Sequence, residues 1–241
     1  MNKIKLKLYY FSKGELILWF GSVFVIAVSY CLFDRNNHVT LLASLIGVTS
    51  LIFNAKGNPI GQFLMVIFSL LYGIISFKFS YYGEMITYLG MTMPMAVFSL
   101  ISWLKNPYNG NRAEVEVNHL SQREWAFLGV LTIFVTLGFY YILEYFHTSY
   151  IIPSTISVTT SFIAVYLTFR RSPYYAIGYA SNDIVLIVLW VLATIQELSY
   201  LSVAVCFVAF LVNDIYGFIN WSKIGKRQAK TLDKQEECMG M

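Results

Sequence analysis

Charge is what this sequence has least of. Only 12% of its 241 residues are Asp, Glu, Lys or Arg, against 57% hydrophobic, where a soluble domain carries about 25% charged residues. Seventeen basic and 13 acidic side chains are too few to cover a folded chain of this size in water. A mean hydropathy of +0.61 agrees. These figures speak against a water-soluble enzyme, a disordered tail and a nucleic-acid binder with a basic face. Cysteine is also scarce. Cys31, Cys206 and Cys238 lie far apart with no CxxC spacing, so neither a disulfide framework nor a zinc site is signalled, and they read as small buried hydrophobes. His38, His119 and His147 form no HExxH cluster. Neither GxxxxGK[ST] nor a helix-opening GxGxxG is present, so no ATP-driven engine and no cofactor is implied.

What the chain does have is long apolar runs. A helix crosses a bilayer with about 20 apolar residues, and eight such stretches can be marked: 15–33, 38–54, 60–80, 84–104, 125–147, 151–169, 174–195 and 199–221. The first follows a basic flank, as in a signal peptide, but it is long for a signal core and no small-x-small cleavage site follows. It is expected to stay as a helix. The separators DRNN (34–37), KGNP (56–59) and RRSP (170–173) carry turn chemistry. Pro94 falls mid-span, where membrane helices tolerate a kink. With the N-terminus inside, 15 of the 17 Lys and Arg residues fall on the cytoplasmic side and only Arg35 and Lys78 on the other, as the positive-inside rule requires. The expectation is a multi-pass protein of the cell inner membrane with both termini cytoplasmic. The polar connection 105–124 lies inside, and the mixed-charge tail from Ser222 is expected to fray.

Two groups of three helices flank the span at 125–147. One closes on ISWLK (101–105) and the other on INWSK (219–223), and each has a proline, Pro59 or Pro173, at the start of its middle helix. The Pro-to-Trp separations are 44 and 48 residues. One extra crossing helix between two triplets restores their direction, so they become parallel repeats in a 3+1+3 plan, with a site near the midplane. The segments are then 1–37 (N-terminus and extra helix), 38–104 (first bundle), 105–150 (loop and linker helix), 151–221 (second bundle) and 222–241 (tail).

Ionisable groups at membrane depth are costly, roughly 2.5–3.5 kcal/mol on insertion scales. Asn182-Asp183 lies eight residues from the cytoplasmic end of its helix, about 12 Å deep at 1.5 Å per residue. Asn213-Asp214 lies at the same depth on the next helix. Both pairs could serve a purely structural network of interhelical hydrogen bonds. Read as a substrate pocket, Asn182 and Asn213 offer donors and acceptors to hydroxyls or a ring amide, and Asp183 or Asp214 balances a positive charge. Tyr175, Tyr179 and Tyr216 lie one turn away, suited to stacking on a flat ring, and Thr160, between Thr159 and Ser161, adds a hydroxyl. Glu84 and Glu144 lie near the outer ends and read as interfacial.

At YYGEMITYLG (81–90), SLISWLK (99–105), RRSPYYAIGYASND (170–183) and FLVNDIYGFINW (210–221) the chain resembles the PnuC family of vitamin-precursor transporters, relatives of the SWEET sugar carriers, over about residues 38–225. The resemblance implies an all-α membrane fold of eight helices, a SWEET-like core plus one N-terminal helix. It also implies passive uptake of nicotinamide riboside, trapping by an intracellular kinase, and assembly as a homotrimer. Family members carry a WxxWxxxN run; matching its Asn to Asn182 puts Tyr175 at the first Trp and Gly178 at the second, with Tyr179 the nearest ring that could fill in. A family Gln on the third core helix is missing, with Tyr88 or Leu89 nearby. Other ring-plus-sugar or cationic ligands (a deoxynucleoside, thiamine, riboflavin) fit the same plan. A non-transporting membrane assembly subunit is the rival from another class; an intramembrane enzyme would need a metal cluster or a nucleophile–base pair, which the sequence does not show.

Overall fold

The computed structural model describes residues 10–78, 81–148 and 150–239, with side chains through Thr231. Lys3, Lys5 and Lys7 of the basic flank, and the side chains of Lys234 and Cys238, lie outside the described residues. Among these residues eight helices are long and apolar enough to cross a membrane. They are α1 (Lys13–Phe33), α2 (His38–Ala55), α3 (Pro59–Lys78), α4 (Tyr82–Lys105), α5 (Gln122–Tyr145), α6 (Ile151–Phe169), α7 (Tyr175–Thr194) and α8 (Leu201–Met239). The eight expected spans match them in number and order. α1 and α5 each start on a capping box, Ser12 with Glu15 and Ser121 with Glu124, which satisfies backbone N–H groups that have no intrahelical acceptor.

One local expectation is corrected, and the polar connection shows a structure that was not anticipated. The tail from Ser222 does not fray: α8 runs on to Met239, and its extension is held where Gln228 Nε2 donates to Glu114 Oε1 at 2.9 Å and to the Val115 carbonyl at 3.1 Å. The polar connection before α5 is partly ordered as a hairpin, Pro107–Tyr108 against Asn111–Val115. Its turn is Asn109-Gly110, both at positive φ (48° and 75°), the pairing that two-residue hairpins favour. Pro94, for its part, sits where the helix changes form. It follows a six-residue π-helical turn, Thr87–Thr92, that widens α4 ahead of it.

Six helices close into a ring in the order α2, α3, α4, α6, α7, α8, with each packed on the next and α8 back on α2. α1 lies outside the ring against α2 and α8, and α5 lies outside it against α6. Their outward faces carry exposed apolar side chains, Phe20, Phe24 and Leu32 on α1 and Ile133, Phe134 and Tyr141 on α5, as lipid contact requires.

At the hairpin end the two bundles are fastened by matching bonds. Trp103 Nε1, closing α4, donates to the Thr168 carbonyl at the end of α6 at 2.9 Å. Trp221 Nε1, on α8, donates to the Asn54 carbonyl at the end of α2 at 2.7 Å. The residue before each tryptophan caps the next carbonyl along: Ser102 Oγ to Phe169 at 3.1 Å, and Asn220 Nδ2 to Ala55 at 2.7 Å. Both indoles are fully buried, with ring centroids 5.4 Å apart. The corners they cap also match. Gly57 and Arg171 take left-handed φ values of 66° and 57°, a conformation natural to glycine and strained for arginine. The strand after the hairpin bonds both corners, Val115 N to the Gly57 carbonyl at 2.9 Å and Asn118 N to the Arg171 carbonyl at 3.0 Å.

Each tryptophan satisfies a helix-end carbonyl that otherwise lacks a donor. Trp103→Phe and Trp221→Phe should therefore each destabilise the protein by about 1–3 kcal/mol, the range for an orphaned buried polar group. Thermal unfolding in detergent should show a fall of several degrees for both, whereas the lipid-facing Phe134→Leu should leave the midpoint in place. A drop in only one tryptophan variant would deny that the two bonds are equivalent.

Candidate functional site

The six-helix ring encloses a small cavity into which buried amide and carboxyl groups face. Every ring helix contributes to its lining: Leu51 from α2, Met65 and Phe68 from α3, Tyr88 and Thr92 from α4, Ser161 from α6, Tyr179, Asn182 and Asp183 from α7, and Phe207, Phe210 and Asp214 from α8. The lining is divided. Its charged and amide groups come from α7 and α8, whereas α2 and α3 supply only apolar and aromatic side chains. The free volume is about 20 Å³, room for a single water, which needs about 10–15 Å³. In this conformation the site is closed to anything larger than water.

Asn182 and Asp183 are 3% exposed and Asp214 4%. Ser157 and Thr160 on α6 point their hydroxyls at Asn182 Oδ1, at 3.2 and 3.0 Å. These bonds fix the amide and leave Nδ2, which has no hydrogen bond among the described residues, as the group offered to the cavity. Beside it the Asp183 and Asp214 carboxyl groups lie within hydrogen-bonding reach of one another, and Asp183 Oδ2 has no donor. A close acidic pair in a dry interior is a site for a cation or a shared proton. The pair stands opposite aromatic rings: Tyr88 lies 4.3 Å from Tyr72 and 6.0 Å from Phe68, and Phe210 lies 5.5 Å from both Phe68 and Phe207. Donor amide, acidic pair and ring faces together suit a flat, positively charged ring bearing a polar substituent. Among the described residues no three His, Cys, Asp or Glu side chains gather to hold a metal ion.

The expected site residues are thus not all in one place. Asn182, Asp183, Asp214 and Tyr179 line the cavity, and Thr160 braces Asn182 from behind. Asn213 does not join them. Its Nδ2 donates to Ser22 Oγ on α1 and to the Ala209 carbonyl, both at 2.8 Å. Tyr216 is also turned to α1, where its hydroxyl donates to Glu15 Oε1 at 2.9 Å beside the Lys56–Glu15 ion pair at 3.1 Å. Tyr175 lies beneath the cavity, 1% exposed, edge-on to Trp221 at 5.0 Å. Gly178, matched to the second family tryptophan, has no room for a ring: a Cβ there would sit 2.9 Å from the Ala164 backbone.

Other residues went unrecognised in the sequence. Phe68, Tyr72, Phe207 and Phe210 form an aromatic wall with Tyr88, already noted beside the missing family Gln; the i, i+4 spacing of Phe68 and Tyr72 and the i, i+3 spacing of Phe207 and Phe210 are the signal, though ordinary packing gives the same one. Glu84 keeps its expected place near the end of its span, as the third residue of α4, but its side chain is packed inside the protein and 1% exposed.

A ring of spanning helices around a small closed cavity that buried amide and carboxyl groups face defines a membrane carrier. The family model described as nicotinamide mononucleotide transporter matches residues 37–223, and the chain belongs to that family of transporters rather than to a family of enzymes. Among curated relatives, the nicotinamide riboside transporter PnuC of Neisseria mucosa is 26% identical over 226 residues, 91% of this chain and 84% of the relative. The protein of the same name from Haemophilus influenzae is 26% identical over 216 residues, 88% of this chain and 91% of the relative. The fold is similar to that in the crystal structure of the vitamin B3 transporter PnuC, with a TM-score of 0.79 at 23% identity over 90% of this chain and 94% of that one.

The placements separate two asparagines that look alike in sequence. Asn182→Leu should abolish ligand binding in calorimetry while leaving the protein folded. Asn213→Leu should lower thermal stability by loosening α1 and leave affinity within about threefold. Equal losses of affinity would put both amides in the site.

Proposed function

We propose that this protein carries nicotinamide riboside across the inner membrane by facilitated diffusion, and that phosphorylation inside the cell traps the product. The observation that carries this reading is the cavity itself, where the Asn182 amide, the Asp183–Asp214 pair and the facing rings of Tyr88, Tyr179 and Phe207 converge. The carboxamide of a nicotinamide ring matches the free Asn182 donors, and its cationic ring matches the acidic pair. The names of the Neisseria and Haemophilus relatives support the same substrate. Thiamine, also a cationic heterocycle, is the second reading; a neutral deoxynucleoside or riboflavin would leave the carboxyl pair without a counterpart.

The triplets α2–α4 and α6–α8 act in this account as parallel repeats that rock about the central site. The residue-by-residue match of the Trp103 and Trp221 bonds supports that reading. The bonds close the hairpin end, which the distribution of Lys and Arg assigns to the cytoplasm, and inward release breaks them. The resemblance also supports a homotrimer.

Uptake of labelled nicotinamide riboside into proteoliposomes should proceed down its gradient without ATP, and with no proton or sodium gradient imposed. A strict need for either ion gradient would overturn facilitated diffusion. Of nicotinamide riboside, thiamine, riboflavin and a set of nucleosides, the first should give the largest rise in Tm, since a ligand stabilises the state it binds; a larger rise with another ligand would replace the substrate.

A further inference from the structure

Glu84 has no place in the account so far. It is the third residue of α4, 1% exposed, and neither carboxylate oxygen has a hydrogen-bond partner among the described residues. Ser157 Oγ is within hydrogen-bonding reach of the Glu84 carboxyl, but its single proton is directed to Asn182 Oδ1 at 3.2 Å. A buried carboxylate with no donor and no counter-ion is several kcal/mol unfavourable. In a membrane helix such a group is a functional candidate by default.

Its surroundings indicate what would satisfy it. Tyr72, Tyr81 and Tyr88 all lie within electrostatic range of the carboxylate. Tyr81 stands 5.0 Å and Tyr72 6.2 Å from the Trp190 ring, centroid to centroid, and Trp190 Nε1 donates to the Tyr72 hydroxyl at 2.6 Å. Among the described residues no Lys, Arg or His forms an ion pair with it. A buried carboxylate beside a cluster of tyrosines, with no basic side chain paired to it among the described residues, suits an organic cation, which charge and neighbouring aromatic rings can hold together. Glu84, Tyr88 and Thr92 are all buried on α4, four residues or about 6 Å apart, and the last two line the central cavity. The π-helical turn Thr87–Thr92 sits on this same stretch. The row therefore leads from the end of the bundle opposite the hairpin to the central site.

We propose that Glu84 and the tyrosines around it form a second, outer binding position, where the positively charged ring of the substrate rests before it reaches Asn182 and the acidic pair. The inference deepens the proposed function and rests on it. It assigns Glu84 a part in capture and charge selection from outside, and no part in the strength of the central site.

The test compares wild type, Glu84→Gln and Glu84→Asp by two measurements on the purified protein: calorimetry with nicotinamide riboside, and initial uptake rates into proteoliposomes. Glu84→Gln should raise the KM of uptake about tenfold while the calorimetric Kd stays within twofold. Glu84→Asp, which keeps the charge on a shorter arm, should recover much of the loss. An unchanged KM in Glu84→Gln would overturn the proposal. So would a parallel loss of Kd and KM with Glu84→Asp no better than Glu84→Gln, the pattern of a merely structural residue. Should Glu84→Gln fail to fold, Glu84→Asp decides alone: a KM raised two- to fivefold at constant Kd supports the outer position, and a wild-type KM overturns it. Wild type that binds no nicotinamide riboside would instead refute the proposed substrate, an outcome distinct from all of these.

Discussion

In a bilayer a polar group must find its partner inside the protein or do without one. That constraint governs this structure from the helix ends to the cavity. Backbone carbonyls at the ends of α2 and α6 cannot close another helical turn, and two buried indoles satisfy them from the opposite bundle. The same requirement explains why α1 is held by specific polar bonds, Ser22 with Asn213 and Glu15 with Tyr216 and Lys56, rather than by apolar packing alone. Lipid tails are as apolar as leucine, so hydrophobic contact gives little reason for one helix to choose another; small polar bonds supply it.

Where the same bookkeeping does not close, the molecule has work to do. Asp183 Oδ2 and both oxygens of Glu84 are buried without donors, and they lie on the aromatic-lined inner face rather than against lipid. Several neutral groups on the ring helices, among them Ser69, Ser76, Thr92 and Ser99, also lack a partner among the described residues, while Gln62 is committed to Asn54, Ser50 to the Gly61 carbonyl and Thr168 to the Ala164 carbonyl; the carboxyl groups differ in that they can carry charge. Unsatisfied carboxyl groups beside ring faces are what a carrier of a cationic ring requires. Under the proposed function the ligand supplies the missing charge for the time it is bound and removes it on release. A cavity of about 20 Å³ holds these groups closed between such events.

Much of this was legible in the sequence because hydrophobic length and basic-residue placement are one-dimensional signals. The spans, their number and the equivalence of the ISWLK and INWSK endings all rest on such signals. The depth of Asn182, Asp183 and Asp214 was legible too, since depth is a count along a helix. Direction is not a count. Successive helix residues point about 100° apart, so the neighbour of Asp214 faces α1 while Asp214 faces the cavity, and Tyr216 is turned away with Asn213. Glu84 raises the same difficulty. Its distance from the span end gives its depth, but whether the side chain turns to the interface or into the bundle depends on packing across helices, which nothing local in the sequence reports. The ordered tail shows the same limit: a mixed-charge segment stays helical because Gln228 meets the hairpin, a contact across more than one hundred residues.

The central claim is that the substrate sits between the bundles with its ring among aromatic side chains and its amide on Asn182. A structure of the protein with nicotinamide riboside bound tests it most directly. The account predicts density enclosed by all six ring helices, the carboxamide within hydrogen-bonding distance of Asn182 Nδ2 and the ring nitrogen facing Asp183 and Asp214. Density lodged between α1 and α2, or on the hairpin face outside the ring, would contradict it.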